Sequence, residues 1–115
     1  MLKKTNALNE IVQLVEFSAK LDKMTPSPAE TVKLRTLLGK SFFGLGKFFA
    51  ARQQFMAAIA AGPGQADPMI ELASLLLTAN QAANAWEWVK KAEQVAPDHP
   101  ELGSLKAQIP ANLRV

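Results

Sequence analysis

Four pairs of residues in this chain stand the same distance apart. Leu38 and Leu72, Ala51 and Ala85, Ala58 and Ala92, and Pro63 and Pro97 are each separated by 34 residues. One register that holds a large apolar residue, two small ones and a proline marks an internal repeat. A unit of that length is a single supersecondary piece that cannot bury its apolar face without a neighbour. The constraint is severe: whatever conformation the first copy adopts, the second must adopt too, and the two must pack on each other.

The periodicity inside and around the copies is helical. Along the first segment Leu8, Ile11, Leu14 with Val15, Ser18 and Leu21 recur at three- and four-residue steps, the spacing of one helix face, and no stretch reads as a strand. Prolines and glycines punctuate the pattern. The "TPSPAE" stretch ends the first helix and opens the next, with Ser27 placed to cap, Pro28 at the first helical position and Glu30 able to reach back to the cap amide. The same grammar at "ADP" predicts Asp67 as a cap with Pro68 first, and "PDHPE" predicts a cap from Asp98 or His99, with Glu101 in the opening turn. Stops fall near Gly44-Leu45-Gly46, Gly62-Pro63-Gly64, Asn80, Pro97 and Pro110. The result is an all-α chain of six helices, over about 5–22, 28–44, 47–61, 67–79, 82–95 and 99–109.

In the first copy the register is carried by Leu38-Gly39, Phe42, Ala51, Phe55, Ala58 and Pro63, and in the second by Met69, Leu72, Ala73, Leu76, Ala85, Val89, Ala92 and Pro97. A helix, a tight turn, a second helix and a closing proline at this period resemble the tetratricopeptide repeat, with Arg35 standing where the family's leading tryptophan belongs. The resemblance covers residues 32–65 and 66–99. It implies an α-solenoid of antiparallel helix pairs in a single domain spanning 1–115: an N-terminal helix and linker over 1–26, repeats over 27–65 and 66–99, and a capping helix over 100–110. Sterically, Gly39, Ala51 and Ala58 are expected to be the holes that Phe42 and Phe55 fill. Leu102, Leu105 and Ile109 fall on one face of the last helix, with Glu101, Ser104 and Gln108 elsewhere, as a cap requires. Extended backward, the register puts Lys4, Thr5, Leu8 and Phe17 at the hallmark positions without a glycine turn. The first helix is therefore expected either to pack alone on the first repeat or to await a partner.

Residues that carry chemistry are scarce. The chain of 115 residues has no cysteine and one histidine, His99, which removes disulfides, thiolate chemistry and histidine-pair metal sites; His99 beside Pro100 reads as a helix-entry residue. Gly44-Leu45-Gly46-Lys47 lacks the preceding strand and the full spacing of a phosphate loop. Glu87 and Glu93, six residues apart, fall on different faces of a helix. No enzyme, metal or cofactor is expected. The net charge of +3 hides an asymmetry, for residues 30–65 carry +4 and residues 66–101 carry −4. No uniform basic stripe marks a nucleic-acid partner. Asn6, Asn9, Glu10, Gln13 and Glu16 interrupt the N-terminal apolar residues, so neither a signal peptide nor a membrane span is read there, and a cytoplasmic location is expected.

Arrays of the resembled family present a concave groove lined by the first helix of each repeat. Matching offsets place Lys33, Thr36, Lys40, Phe43 and Gly44 in that groove from the first repeat, and Asp67, Ile70, Ser74, Leu77 and Thr78 from the second. Chaperone adaptors of the family grip a terminal carboxylate there with several cationic and amide side chains, and only Lys33 and Lys40 are available for that here. The expected centre is apolar, formed by Phe43, Ile70 and Leu77, and suits an apolar helical or extended segment of a partner protein. Small helical-repeat chaperones of bacterial secretion have a similar length and architecture. The alternative is a self-assembling scaffold joined through the N-terminal helix and through outward aromatics such as Phe49 and Trp88.

Overall fold

The computed structural model describes residues 2–114, with side chains from residue 9 onward. Among the described residues six α-helices follow one another: α1 (Leu2–Lys23), α2 (Pro28–Gly44), α3 (Phe48–Ala61), α4 (Ala66–Thr78), α5 (Ala82–Val95) and α6 (Leu102–Ala107), then a short 3-10 turn at Ala111–Leu113. No strand occurs among the described residues. The predicted bounds hold within a few residues except at α6. There the His99 amide donates to the Ala96 carbonyl at 3.0 Å and the Leu102 amide to the His99 carbonyl at 3.2 Å. Pro100 has no amide to donate, so tight turns occupy 99–101 and the helix begins only at Leu102.

The 34-residue interval reappears in the backbone, bond by bond. At the α2–α3 turn the Lys47 amide donates to the Phe42 carbonyl and the Gly46 amide to the Phe43 carbonyl, both at 2.9 Å; at the α4–α5 turn Gln81 donates to Leu76 at 2.8 Å and Asn80 to Leu77 at 3.1 Å. The pivot of each turn is left-handed, with φ of 75° at Gly46 and 63° at Asn80, and glycine and asparagine are the residues that enter that region most readily. The junctions that close the repeats also match. Gln65 donates to the Gly62 carbonyl and His99 to the Ala96 carbonyl, both at 3.0 Å, while Gly62 (φ −141°, ψ 78°) and Ala96 (φ −148°, ψ 73°) share one conformation.

Side chains fill the two copies by different divisions of the same space. A methyl group on Gly39 would stand inside the Phe55 ring, and one on Gly62 would lie 2.6 Å from Val32 Cγ2. Thirty-four residues on, Gly39 and Phe55 become Ala73 and Val89, and Gly62 and Val32 become Ala96 and Ala66. In each pair the small residue gains a methyl where the large one loses volume, the exchange that close-packed interiors tolerate best. Leu38 and Leu72, Ala51 and Ala85, and Ala58 and Ala92 are all buried, as are Phe42 and Phe55. Together they belong to one core that runs from Leu21 to Ile109, apart from Ala58, which is buried outside that cluster. The molecule measures 42 × 37 × 20 Å, and its thin dimension is about two helix diameters.

Helix starts follow their sequence signals unevenly. The Ser27 hydroxyl accepts from the Glu30 amide at 3.2 Å while the Glu30 carboxylate accepts from the Ser27 amide at 3.2 Å, which is the complete capping box. Asp67 does not cap α4: Gln65 holds that position without a side-chain bond. Asp67 Oδ1 instead accepts from His99 Nε2 at 2.9 Å, and His99 Nδ1 accepts from the Glu101 amide at 3.2 Å. The two bonds tie the start of α4 to the entry of α6.

The N-terminal helix packs on the first repeat. It runs antiparallel to α2, since Asp22 and Ser18 meet Arg35 while Leu14 and Phe17 border a cleft with Ser41. Leu21 is buried, whereas Ile11, Leu14 and Ser18 are half-buried; Val15 lies outward, 54% exposed, because the inner face turns toward Leu14 and Ser18. The side chains of Lys4, Thr5 and Leu8 lie outside the described residues. Arg35 bonds to Asp22 Oδ1 at 2.5 Å and to Gln54 Oε1 at 2.9 Å, and Gln54 Nε2 donates to Ser18 Oγ at 2.9 Å. The position of the family's tryptophan is thus a polar clamp joining three helices. At the other end Leu102, Leu105 and Ile109 are buried, and Lys106 pairs with Glu93 of α5.

Gly39→Ala is expected to destabilise the fold by about 1–3 kcal/mol, the cost of overpacking a filled site. Adding Phe55→Leu should recover part of that loss. Urea denaturation of the single and double variants measures both.

Candidate partner-binding groove

The first helices of the two repeats diverge enough to leave an open groove of about 440 Å³ between them. One wall is the α2 face carrying Ala29, Val32, Lys33, Thr36, Leu37 and Lys40; the other is formed by Gln65 with Asp67, Ile70 and Glu71 of α4, and by Glu101 from the turn before α6. The walls follow from helical spacing, because Lys33, Thr36, Leu37 and Lys40 share one face, as do Asp67, Ile70, Glu71 and Ser74.

Of the residues predicted for this surface, Lys33, Thr36, Lys40, Asp67 and Ile70 come together here. Phe43, Ser74 and Leu77 are half-buried further along the same faces. Phe43 packs edge-on against Phe48, ring centres 5.4 Å apart, and both Phe43 and Leu77 rest against the core. Ile70 is 1% exposed and offers a floor more than a contact surface. Thr36 donates its hydroxyl to the Val32 carbonyl at 2.6 Å, which leaves its oxygen as an acceptor. Within the groove the principal exposed apolar side chain is Leu37, 52% accessible. It neighbours the buried hallmark Leu38, and the family offsets pass over it; its place one turn after Lys33 is the signal that finds it.

The groove is electrically divided. Lys33 and Lys40 are the charges of the α2 wall, and Asp67, Glu71 and Glu101 are those opposite. Burial pushes the Glu71 carboxyl above the ordinary glutamate value, Lys40 opposes the shift, and Glu101 and Asp67 add to it. Lys40 Nζ and Glu71 Oε2 are 3.9 Å apart, too far for a direct hydrogen bond. A smaller cleft on the α3–α5 side is bordered by Arg52, Met56 and Trp88 among others. The Lys91 ammonium sits 4.3 Å from the Trp88 ring centre there, and Phe49 nearby in sequence is 72% exposed.

No group of acidic, histidine or cysteine side chains that could hold a metal occurs among the described residues. Among the described residues, no helix is long and apolar enough to cross a membrane. Gly44-Leu45-Gly46-Lys47 forms the α2–α3 turn.

The tetratricopeptide repeat family model matches residues 42–109, more than half of the chain. The match runs from the last turn of α2 past the end of α6, and the repeated turns and junctions described above fall within it. The chain belongs to the tetratricopeptide repeat family. Repeats of this family generally mediate protein–protein interaction and are typically not catalysts. No curated protein matches the chain.

A carboxyl whose pKa is raised by folding binds its proton more tightly in the native than in the unfolded state, so stability falls as pH rises from the ordinary glutamate range toward the raised value. Glu71→Gln removes that slope. Relative to wild type, the variant is expected to gain stability between pH 4 and pH 7, which paired denaturation curves at the two pH values measure.

Proposed function

We propose that the chain is a non-enzymatic interaction module whose groove between α2 and α4 holds an apolar segment of a partner protein, helical or extended. The observation that carries this reading is the exposed Leu37 at the centre of an open, concave wall, flanked by Lys33 and Lys40 and facing a second charged wall across an apolar floor. Anchoring an apolar side chain in such a cleft excludes water at its centre, and the charged rim sets register. In a cytoplasmic setting, this is the chemistry of a small chaperone or adaptor that shields a segment until it is handed on, as secretion chaperones of similar architecture do. Lys33, Thr36 and Lys40 contact the segment first, and Ile70, Ser74, Leu77 and Phe43 support it along the α4 and α2 faces. A photocrosslinking residue at position 37 in the native cell should give discrete adducts, whereas one at the exposed positions Gln53 or Ser104 should not. Equal yields from all three positions would reject the groove.

A second reading, self-association, is favoured by the outer surface of α1, where Val12 and Val15 are 55% and 54% exposed, and by Phe49. Sedimentation over a wide concentration range measures it: a mass that rises with concentration supports a homo-oligomer, and a constant monomer mass removes it.

A further inference from the structure

We propose that the groove selects a segment whose apolar stripe has an acidic residue on one flank and a lysine or arginine on the other. This rests on the groove reading above and specifies the chemistry of its occupant. The α2 wall carries only cations, Lys33 and Lys40, and the opposite wall carries only carboxylates, Asp67, Glu71 and Glu101. This is the local form of a division that runs through the sequence, +4 over residues 30–65 and −4 over residues 66–101. The walls meet in one ion pair, Lys40 Nζ and Glu71 Oε2 at 3.9 Å, in which Lys40 stays half exposed; among the described residues Lys33, Asp67 and Glu101 form no ion pair across the groove. Glu71 is half-buried, with Asp67 and Glu101 close enough to act on it. A cation arriving from an occupant would replace solvent that Glu71 has already partly lost, and an acidic group arriving on the α2 side would meet two ammonium groups.

The same layout disfavours single-sign occupants. An all-acidic segment, or a chain-terminal carboxylate held deep in the groove, would be attracted by two lysines and opposed by three carboxylates across the groove. An all-basic segment meets the reverse. Like-charge juxtaposition of this kind is how interfaces reject wrong partners and fix orientation. Lys33 and Lys40 are seven residues apart on α2, about 10 Å along the helix axis. Acidic residues at positions i and i+7 of a helical occupant, or i and i+3 of an extended one, match that separation.

The test uses three fluorescein-labelled, acetylated and amidated amphipathic helical peptides with one leucine stripe in common. Their flanks are all glutamate, all lysine, or glutamate on one side and lysine on the other. Fluorescence anisotropy with the full chain should show the mixed peptide binding at least tenfold tighter than either single-sign peptide, with the advantage shrinking as salt is added. Lys33→Glu combined with Lys40→Glu should shift the preference to the all-lysine peptide, and Glu71→Gln should narrow the gap between the mixed and all-glutamate peptides. Leu37→Asp, at an exposed position, reports whether binding is in the groove. If it weakens binding but the three peptides rank equally, or the all-glutamate peptide binds tightest, the charge inference is overturned and the groove stands. If Leu37→Asp changes no affinity, the groove reading and the charge inference fall together.

Discussion

Close approach of paired helices, made possible by a missing side chain opposite an aromatic ring, is the contact on which the rest of this structure depends. Gly39 leaves the space that the Phe55 ring enters. Without that space α2 and α3 would separate by the width of a side chain, and the α2 face that carries Lys33, Leu37 and Lys40 would no longer stand opposite α4 at groove distance. The second repeat reaches the same end with alanine and valine at the corresponding positions. Conservation of summed volume, more than of residue identity, keeps the two helix pairs alike.

That compensation explains why the architecture was legible and why the second copy was less obvious than the first. The alanines at 51, 58, 85 and 92 are fully buried and cannot grow, so they remain visible at a fixed interval. The large partners vary because the holes they fill vary with them. The left-handed turn pivots at Gly46 and Asn80 were readable as stops, since few residues accept that backbone region. Asp67 shows the limit of local grammar: its place before Pro68 reads as a cap, but His99, 32 residues away in sequence, offers it a bond that the folded chain takes instead.

The groove was partly legible for the same reasons. Helical spacing identified the faces of α2 and α4 that meet there, and the residue register placed Lys33, Thr36, Lys40, Asp67 and Ile70 together. Leu37 was masked by its neighbour Leu38, whose hallmark position directs attention to the core. Glu101 comes from the turn after α5, and its arrival beside Glu71 depends on how the chain returns past His99, which no window of sequence contains. Charge asymmetry between the two halves was visible from composition, but only the apposition of α2 and α4 turns it into opposing walls.

The junctions at Gly62–Gln65 and Ala96–His99 share their hydrogen bond and the backbone angles of their first residue. A chain built this way is modular at the level of peptide geometry. Another 34-residue segment spliced in at either seam would encounter a familiar entry and a familiar exit, with the terminal lid and the N-terminal clamp undisturbed. Growth by duplication is thus open to this fold, and each added segment would extend the groove by one more helix.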